Sequence, residues 1–490
     1  MHPDLPVPQA QALLAQMITP LTVCAGTTEH LPLPQAGGRI LAQDLISPVD
    51  VPPHNNSAMD GYAFAGCALS TVPAGQTLAL TIVGTALAGQ PWDGTLQAGQ
   101  AVRIMTGAVI PAGADTVVAQ EQVTVTGTTV TLPANGLPPG ANVRLRGEDL
   151  AQGHIALPQG QPLHAAALGL AASLGLATLP VVRRLRVAYF STGDEILTLG
   201  DAPRPGAVFD SNRYTITSML RNMGVEIIDL GAISDNPQAL RASFLQASEV
   251  ADAIITSGGV SMGTADHTQA LMQELGEVAF WRLALRPGRP FAVGKIHKKI
   301  TNKNSDFAIP ESANSSQNSE STWLFGLPGN PVAAMVSFLA LVRPALQRLM
   351  GATPTAPLLV PARCSHSIRK QPGRTEYLRA QVSTGADGQL AVRTTGAQGS
   401  GLLHSMVQAN CLIVLAHDQG SVAAGDSVPV WLLDGLLAPT ALRWLRELAV
   451  FGEGLAVIRY VGLALFDVVL PRLRMHISGI LADILVIVGY

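Results

Sequence analysis

Three acidic or Gly-rich stretches, each placed just after an apolar run, carry the chemistry that this chain can be read for. Ser257-Gly-Gly-Val-Ser-Met-Gly-Thr-Ala-Asp266 follows the apolar run 253–256 and precedes a helical pattern that starts at His267 and is expected to close at Gly276. A Gly-rich turn between a strand and a helix start offers backbone N–H groups at the positive end of the helix dipole, which suits an anion. Ser257, Gly258, Gly259, Ser261 and Gly263 are the residues of that turn. Asp266 can cap the helix or hold a metal beside the anion. Ser191-Thr-Gly-Asp-Glu195 and Asp235-Asn236 also follow apolar runs. Any one of these reads equally well as a tight turn with a capping residue. Together they point to one ligand-binding edge, with Glu195, Asp235 and Asp266 as carboxylates for a hard divalent cation.

The elements that must position them alternate. Strands are expected at 186–190, 225–230 and 253–256, with helices between, one capped by Asn212 and ending at Gly224, the next capped by Asp235 or Asn236 with Pro237 in its first turn. A βαβαβ order implies a parallel sheet covered on both faces, whose ligands bind beyond the carboxyl ends of the strands. Strands at 290–294 and 323–325 flank an insertion, 297–322, too polar to form a core and read as a disordered loop. Leu327-Pro-Gly-Asn-Pro331 then opens a long apolar helix, with Asn330 as N-cap, Pro331 as first helical residue and a kink at Pro344.

The remaining chain divides by texture. Residues 5–50 read as mainly helical, 72–135 as short β-branched strands between Gly and Pro turns, 160–180 as helix again, and 355–433 as β-rich. After Gly435, two apolar runs are interrupted by Arg459, Asp467 and Asp483, and neither gives a clean span of ~20 apolar residues. An amphipathic or buried helix is the expectation there, not a membrane anchor. At 490 residues several domains are expected. The net charge of −3 gives no basic footprint for nucleic acid. The four cysteines lack metal-ligand spacing and suit a reducing cytoplasm, and the N-terminus has no secretory pattern.

Several long motifs resemble one family. Val51-Pro-Pro-His-Asn-Asn-Ser-Ala-Met-Asp-Gly-Tyr-Ala63, Arg103-Ile-Met-Thr-Gly-Ala108, Gly147-Glu-Asp149, the stretches 191–195 and 257–266, Arg286-Pro-Gly-Arg-Pro290 and 327–331 occur in the order seen in the molybdopterin molybdenumtransferases, the MoeA and gephyrin E-domain family. The resemblance runs from about residue 5 to 433 and leaves out 297–322 and the tail. It implies a multidomain α/β plus β fold: a central three-layer α/β molybdopterin-binding domain (181–351), a small inserted all-β domain (51–139), a helical or linker domain (1–50 with 140–180) and a C-terminal β-barrel-like domain (352–434), followed by a tail at 435–490.

By the same resemblance the substrates are adenylated molybdopterin and molybdate, with AMP released and molybdenum left on the dithiolene. Mg²⁺ is the implied cation, a homodimer with a cleft shared between subunits the implied assembly, and a molybdopterin adenylyltransferase the upstream partner. Asp60, Asp149, Glu195, Asp235 and Asp266 match acidic functional positions, and Thr106 matches a hydroxyl in the small β domain. Arg379 and Ser400 match oxyanion positions, and Pro328 and Pro331 shape the pocket wall. Arg282, Arg286 and Arg289 stand where the family often has lysines. Arg is a planar fork and Lys a point charge, so the exchange alters how an anion is held. A non-catalytic scaffold or an adenylyltransferase would share parts of the fold. The joint presence of Asp60, Glu195, Asp235 and Asp266 argues against the first, and the extra domains against the second.

Overall fold

The strand Arg186–Thr192 is a run of β-branched, aromatic and small residues, and its residues 187–192 are all buried. It lies inside a six-stranded sheet ordered Glu226–Ile233, Arg186–Thr192, Ala253–Ser257, Ser321–Leu327, Pro290–His297, Gly276–Arg282. The first four strands are parallel, and the last two join antiparallel. The expected all-parallel sheet is therefore mixed: the short connection after Arg282 returns the chain antiparallel, and the strands on either side of the insertion also pair antiparallel. Helices Pro237–Val250 and His267–Leu275 cover one face through Phe244, Ala247, Leu271 and Met272, packed on Phe190 and Ile254. Helix Ser211–Asn222 lies against the strands 186–192 and 226–233 and against the helix Pro331–Ser337.

This is a computed structural model, which describes residues 4–21, 26–73, 75–259, 267–298, 321–385 and 387–433. Ser261, Gly263, Asp266 and the tail from 435 thus lie outside the described residues. The described residues form two compact units. One is built from segments within 1–20, 184–349 and 354 onward, and the other from 21–183 with 350–353.

Besides the α/β sheet, the first unit holds a closed barrel. Thr375–Thr384 pairs with Leu390–Thr394, which pairs with Leu359–Cys364, then Ser427–Leu432, then Cys411–Leu415, which returns to Thr375–Thr384. Its interior is Ala362, Leu378, Val392, Ile413 and Val430. The short strand Leu285–Arg286 pairs with Thr375 and Glu376, so the barrel is stitched to the α/β part by main-chain bonds. The N-terminal helix Val7–Met17 also belongs to this unit, where Gln11 Nε2 donates to the Ala340 carbonyl (2.9 Å). The second unit contains a six-stranded sheet ordered Thr116–Ala119, Gly61–Phe64, Gln100–Ile104, Thr77–Ala86, Thr129–Pro133, Thr124–Thr126.

Several local expectations are corrected. Of residues 5–50 only Val7–Met17 forms an α-helix; Thr28–Pro32 is a strand paired with Thr178–Val182. Proline at 20, 32 and 34 lacks the N–H that a continuous helix needs. Asn212 is not a cap: Asp210 accepts from the Arg213 N–H (2.9 Å) and the helix starts one residue before Asn212. Gly276 does not close a helix but opens the strand Gly276–Arg282, where a Cβ would collide with the Lys295 carbonyl. Asn330 sits at the N-cap position without a side-chain capping bond, and the helix widens to a π turn at Phe338–Val342 beside Pro344. The flanks of the insertion are ordered further than read: His297 pairs with Ser321, and buried Thr322 donates to the carbonyls of Ser248 (3.0 Å) and Ala251 (3.1 Å).

Candidate functional site

The carboxyl ends of the four parallel strands lie on one edge, and the loops leaving them build a cleft of about 690 Å³ within the first unit. Glu195, Ser257, Gly258, Gly259, Arg286, Arg289, Pro328 and Ser400 of the expected set all line it. Two of these need glycine. Gly258 (φ +90°) and Gly259 (φ +64°) are in the left-handed region, and a Cβ at Gly259 would fall 2.6 Å from Thr268 Oγ1. The Gly258 N–H is committed to the Leu327 carbonyl (3.1 Å), so it ties two loops together and is not an anion donor.

Asn212 is the residue that sequence reasoning misplaced. It is 6% exposed, and its Nδ2 donates to Ser257 Oγ (2.6 Å) and to the Gly329 carbonyl (2.7 Å). A carbonyl only accepts, which fixes the amide orientation. One buried amide thus locks the Gly-rich turn to the 328–330 turn across the sheet edge. Its Oδ1, and Thr192 Oγ1 nearby, are buried without a partner among the described residues. The clue in the sequence was Asp210 two residues earlier: two Asx residues near one helix start leave one spare.

The cations are distributed unevenly. Arg289 Nε donates to Asp4 Oδ2 (2.7 Å), and Arg282 approaches the same carboxylate at 3.9 Å. Arg286 reaches Glu376 at 3.5 Å. Arg374, which the sequence reading did not select, lines the cleft and pairs with no carboxylate among the described residues. Its signal was the Pro372-Gly373 turn, which aims the next residue out of the barrel.

Arg379 does not line the cleft. It is 0% exposed and sits behind the wall, its Nη2 donating to the carbonyls of Ala397 and Gly399, both at 3.0 Å. Burial lowers its pKa from the usual guanidinium value. It therefore shapes the 397–400 loop from behind. The Ser400 carbonyl in turn accepts from the Val332 N–H (3.0 Å), in the first turn of the helix that Pro331 opens. Pro331 itself is not part of the cleft lining, and neither is Arg282 or Asp235. The Asp235 N–H donates to Asp194 Oδ1 (3.2 Å).

In the second unit, Asp60 and Thr106 meet. Asp60 Oδ1 accepts from the Thr106 backbone N–H (2.7 Å) and hydroxyl (2.8 Å). Those two bonds hold its carboxyl below the usual carboxylate range, with a smaller contribution from Arg103. Asp149 is exposed, and its N–H donates to the Val51 carbonyl (3.1 Å).

An α/β sheet with a Gly-rich cleft at its carboxyl edge, joined to a closed barrel and accompanied by a separate small β sheet, defines a multidomain α/β plus β protein. Three family models match in order: the MoeA N-terminal region (domain I and II) at 5–175, a probable molybdopterin binding domain at 188–348, and the MoeA C-terminal region (domain IV) at 361–433. A Haemophilus influenzae protein named molybdopterin molybdenumtransferase is 40% identical over 84% of this chain and 95% of its own. A protein of the same name from Nostoc is 34% identical over 88% of this chain and 95% of its own. A crystal structure of a Pyrococcus molybdopterin biosynthesis MoeA protein superposes with a TM-score of 0.66 at 27% identity, covering 88% of this chain and 99% of that one. The chain belongs to the molybdopterin molybdenumtransferase family.

Proposed function

We propose that this protein is the molybdenum insertase of molybdenum cofactor biosynthesis, taking adenylated molybdopterin and molybdate and releasing AMP. The observation that supports it most is the cleft itself, which Ser257, Gly258, Gly259, Glu195, Arg286, Arg289 and Arg374 line together. A phosphoanhydride substrate needs close backbone approach, which the two glycines allow, and cationic partners, which the arginines supply. Molybdate is a dianion. Arg374 and the Ser400 loop are the groups offered to it, with Arg379 holding that loop from behind.

A divalent cation fits the donor set in part. The Glu195 carboxylate lines the cleft with no hydrogen-bond partner among the described residues. No three His, Cys, Asp or Glu side chains converge among the described residues. Mg²⁺ characteristically takes one or two carboxylates and completes its shell with substrate phosphates and water. Glu195, with Asp266, would hold it, and bound there it would neutralise charge on the phosphoanhydride, whereas Asp235 lies off the cleft lining. Asp60, ionised and anchored by Thr106, and Asp149 are the acidic groups proposed as functional within the second unit. We infer a cytoplasmic homodimer supplied by a molybdopterin adenylyltransferase, with no nucleic-acid or membrane partner. Among the described residues the one helix long and apolar enough to cross a membrane, Pro331–Leu349, is 78% buried and reads as a core helix.

The test is incubation of the purified protein with adenylated molybdopterin and molybdate, with and without Mg²⁺, and measurement of AMP. Release that requires both molybdate and the cation is expected. A folded protein that releases none under any divalent ion is a scaffold, and the proposal fails.

A further inference from the structure

The first unit has a second cavity, of about 250 Å³, between the N-terminal helix, the helical stretch ending at Leu349 and the barrel. Its wall is apolar: Leu14, Pro344, Pro357, Tyr377 and Trp431. Tyr377 and Trp431 meet edge to face at 6.1 Å. Burial pushes the Tyr377 phenol up to about 12, so it keeps its proton at physiological pH.

Two arginines line this space: Arg348, whose Nε donates to the Ile18 carbonyl (2.9 Å), and Arg343. Arg343 is half-buried, and burial lowers its pKa from the ordinary guanidinium value with no anion acting against that. Its backbone N–H donates to the Phe338 carbonyl, but among the described residues its guanidinium has neither a hydrogen bond nor an ion pair. Arg39, Arg213, Arg241, Arg286 and Arg289 each reach a carboxylate. A guanidinium removed from water without a carboxylate is unfavourable, and a bidentate anion is the partner its planar fork fits. Water filling the mouth of the cavity would solvate the charge but leave the aromatic wall wet.

We propose that this cavity binds a small amphiphilic carboxylate, an aryl or branched alkyl acid, with its carboxylate on Arg343 and its apolar body against Tyr377 and Trp431. Each half of such a ligand answers one half of the site. Neither a free inorganic anion nor a neutral hydrocarbon would satisfy both.

The probe is 3-phenylpropionate, titrated calorimetrically into the full-length protein, with 3-phenylpropanamide as its neutral counterpart. Saturable binding of the acid is expected, with the amide weaker by on the order of 10-fold or more, since a charge-assisted bond is lost. Arg343→Gln should remove the preference for the acid. Ala15→Trp, on the exposed face of the N-terminal helix where it lines the cavity, should block both probes and leave AMP release unchanged. Equal affinity for acid and amide, no binding of the acid at millimolar concentration, or undiminished binding to Ala15→Trp overturns the proposal. If Arg343→Gln fails to fold, the acid–amide comparison on the unaltered protein and the Ala15→Trp variant decide the question.

Discussion

The two units solve the placement of a polar group in opposite ways. In the first, Asn212 is buried, and its amide ties Ser257 to Gly329. In the second, the Asp60 and Thr106 side chains are solvent-accessible and bond to each other. A buried polar bond has no water to fall back on, so losing a partner carries the full desolvation penalty, whereas an exposed pair exchanges protein for water at little cost. The buried amide therefore fixes geometry, and the exposed pair fixes a charge state. The contrast says which changes should break folding and which only chemistry.

The largest effect is expected where a cleft carboxylate carries no structural bond. Glu195→Ala should lower AMP release by on the order of 10²–10³, about 3–4 kcal/mol, while the thermal unfolding transition stays in place. Asp266→Ala should do the same. Unchanged AMP release in the Glu195 variant would remove that side chain from the proposed cation site.

Asn212→Leu should differ in kind, because it leaves Ser257 Oγ and the Gly329 carbonyl without their donor. We expect a loss of roughly 1–3 kcal/mol in urea unfolding. AMP release should fall with it. If stability drops and activity is untouched, the amide does not position the Gly-rich turn for chemistry.

Ser400 and Arg379 test the same contrast on the barrel side. Ser400→Ala and Arg379→Met should both raise the molybdate concentration needed for turnover. Only the Arg379 variant should also lose stability, because its two carbonyl partners on the 397–399 segment are left behind. A molybdate titration at fixed adenylated molybdopterin, run beside a melting curve, separates them. A wild-type molybdate requirement in both variants would assign this loop a purely structural role.

The smallest effect belongs to the exposed pair. Thr106→Val removes the hydroxyl bond and should raise the Asp60 pKa toward the ordinary carboxylate value of about 3.9, read by NMR titration. The sign follows from the depressed folded-state value. Asp60 contributes to stability above its unfolded pKa, and that contribution is lost as pH falls through the lower folded one. The variant's small loss of stability should therefore be present in full at neutral pH and vanish as the pH falls below the folded-state value. An Asp60 pKa that does not move would mean the backbone N–H of Thr106 alone sets it.

Much of the site was legible from the chain alone. The βαβ order, the turn at Ser257–Gly259, the arginines at 286 and 289 and the cap position at Asn330 all follow from local rules: apolar periodicity, glycine tolerance of positive φ, and proline at a first helical turn. The strands at 290–294 and 323–325 were legible too, but His297 and Ser321, read as part of the loop, extend them as a pair. These are properties of short segments, and a short segment carries its own signal.

What the tertiary structure decided was direction. Asn212 and Asp210 are equivalent as capping residues in sequence, and only the packing of the helix on the sheet sends one to the backbone and the other into the core. Arg379 and Arg374 are both arginines at one barrel, yet the first lies in the continuously buried stretch 375–380 of its strand, while the turn before the strand leaves the second in the cleft. The residues Thr28–Pro32 became a strand because Thr178–Val182, some 150 residues later, offered an edge to pair with. Sequence fixes which groups a segment carries. Where each group points depends on partners far along the chain, and those are present only once the chain has folded.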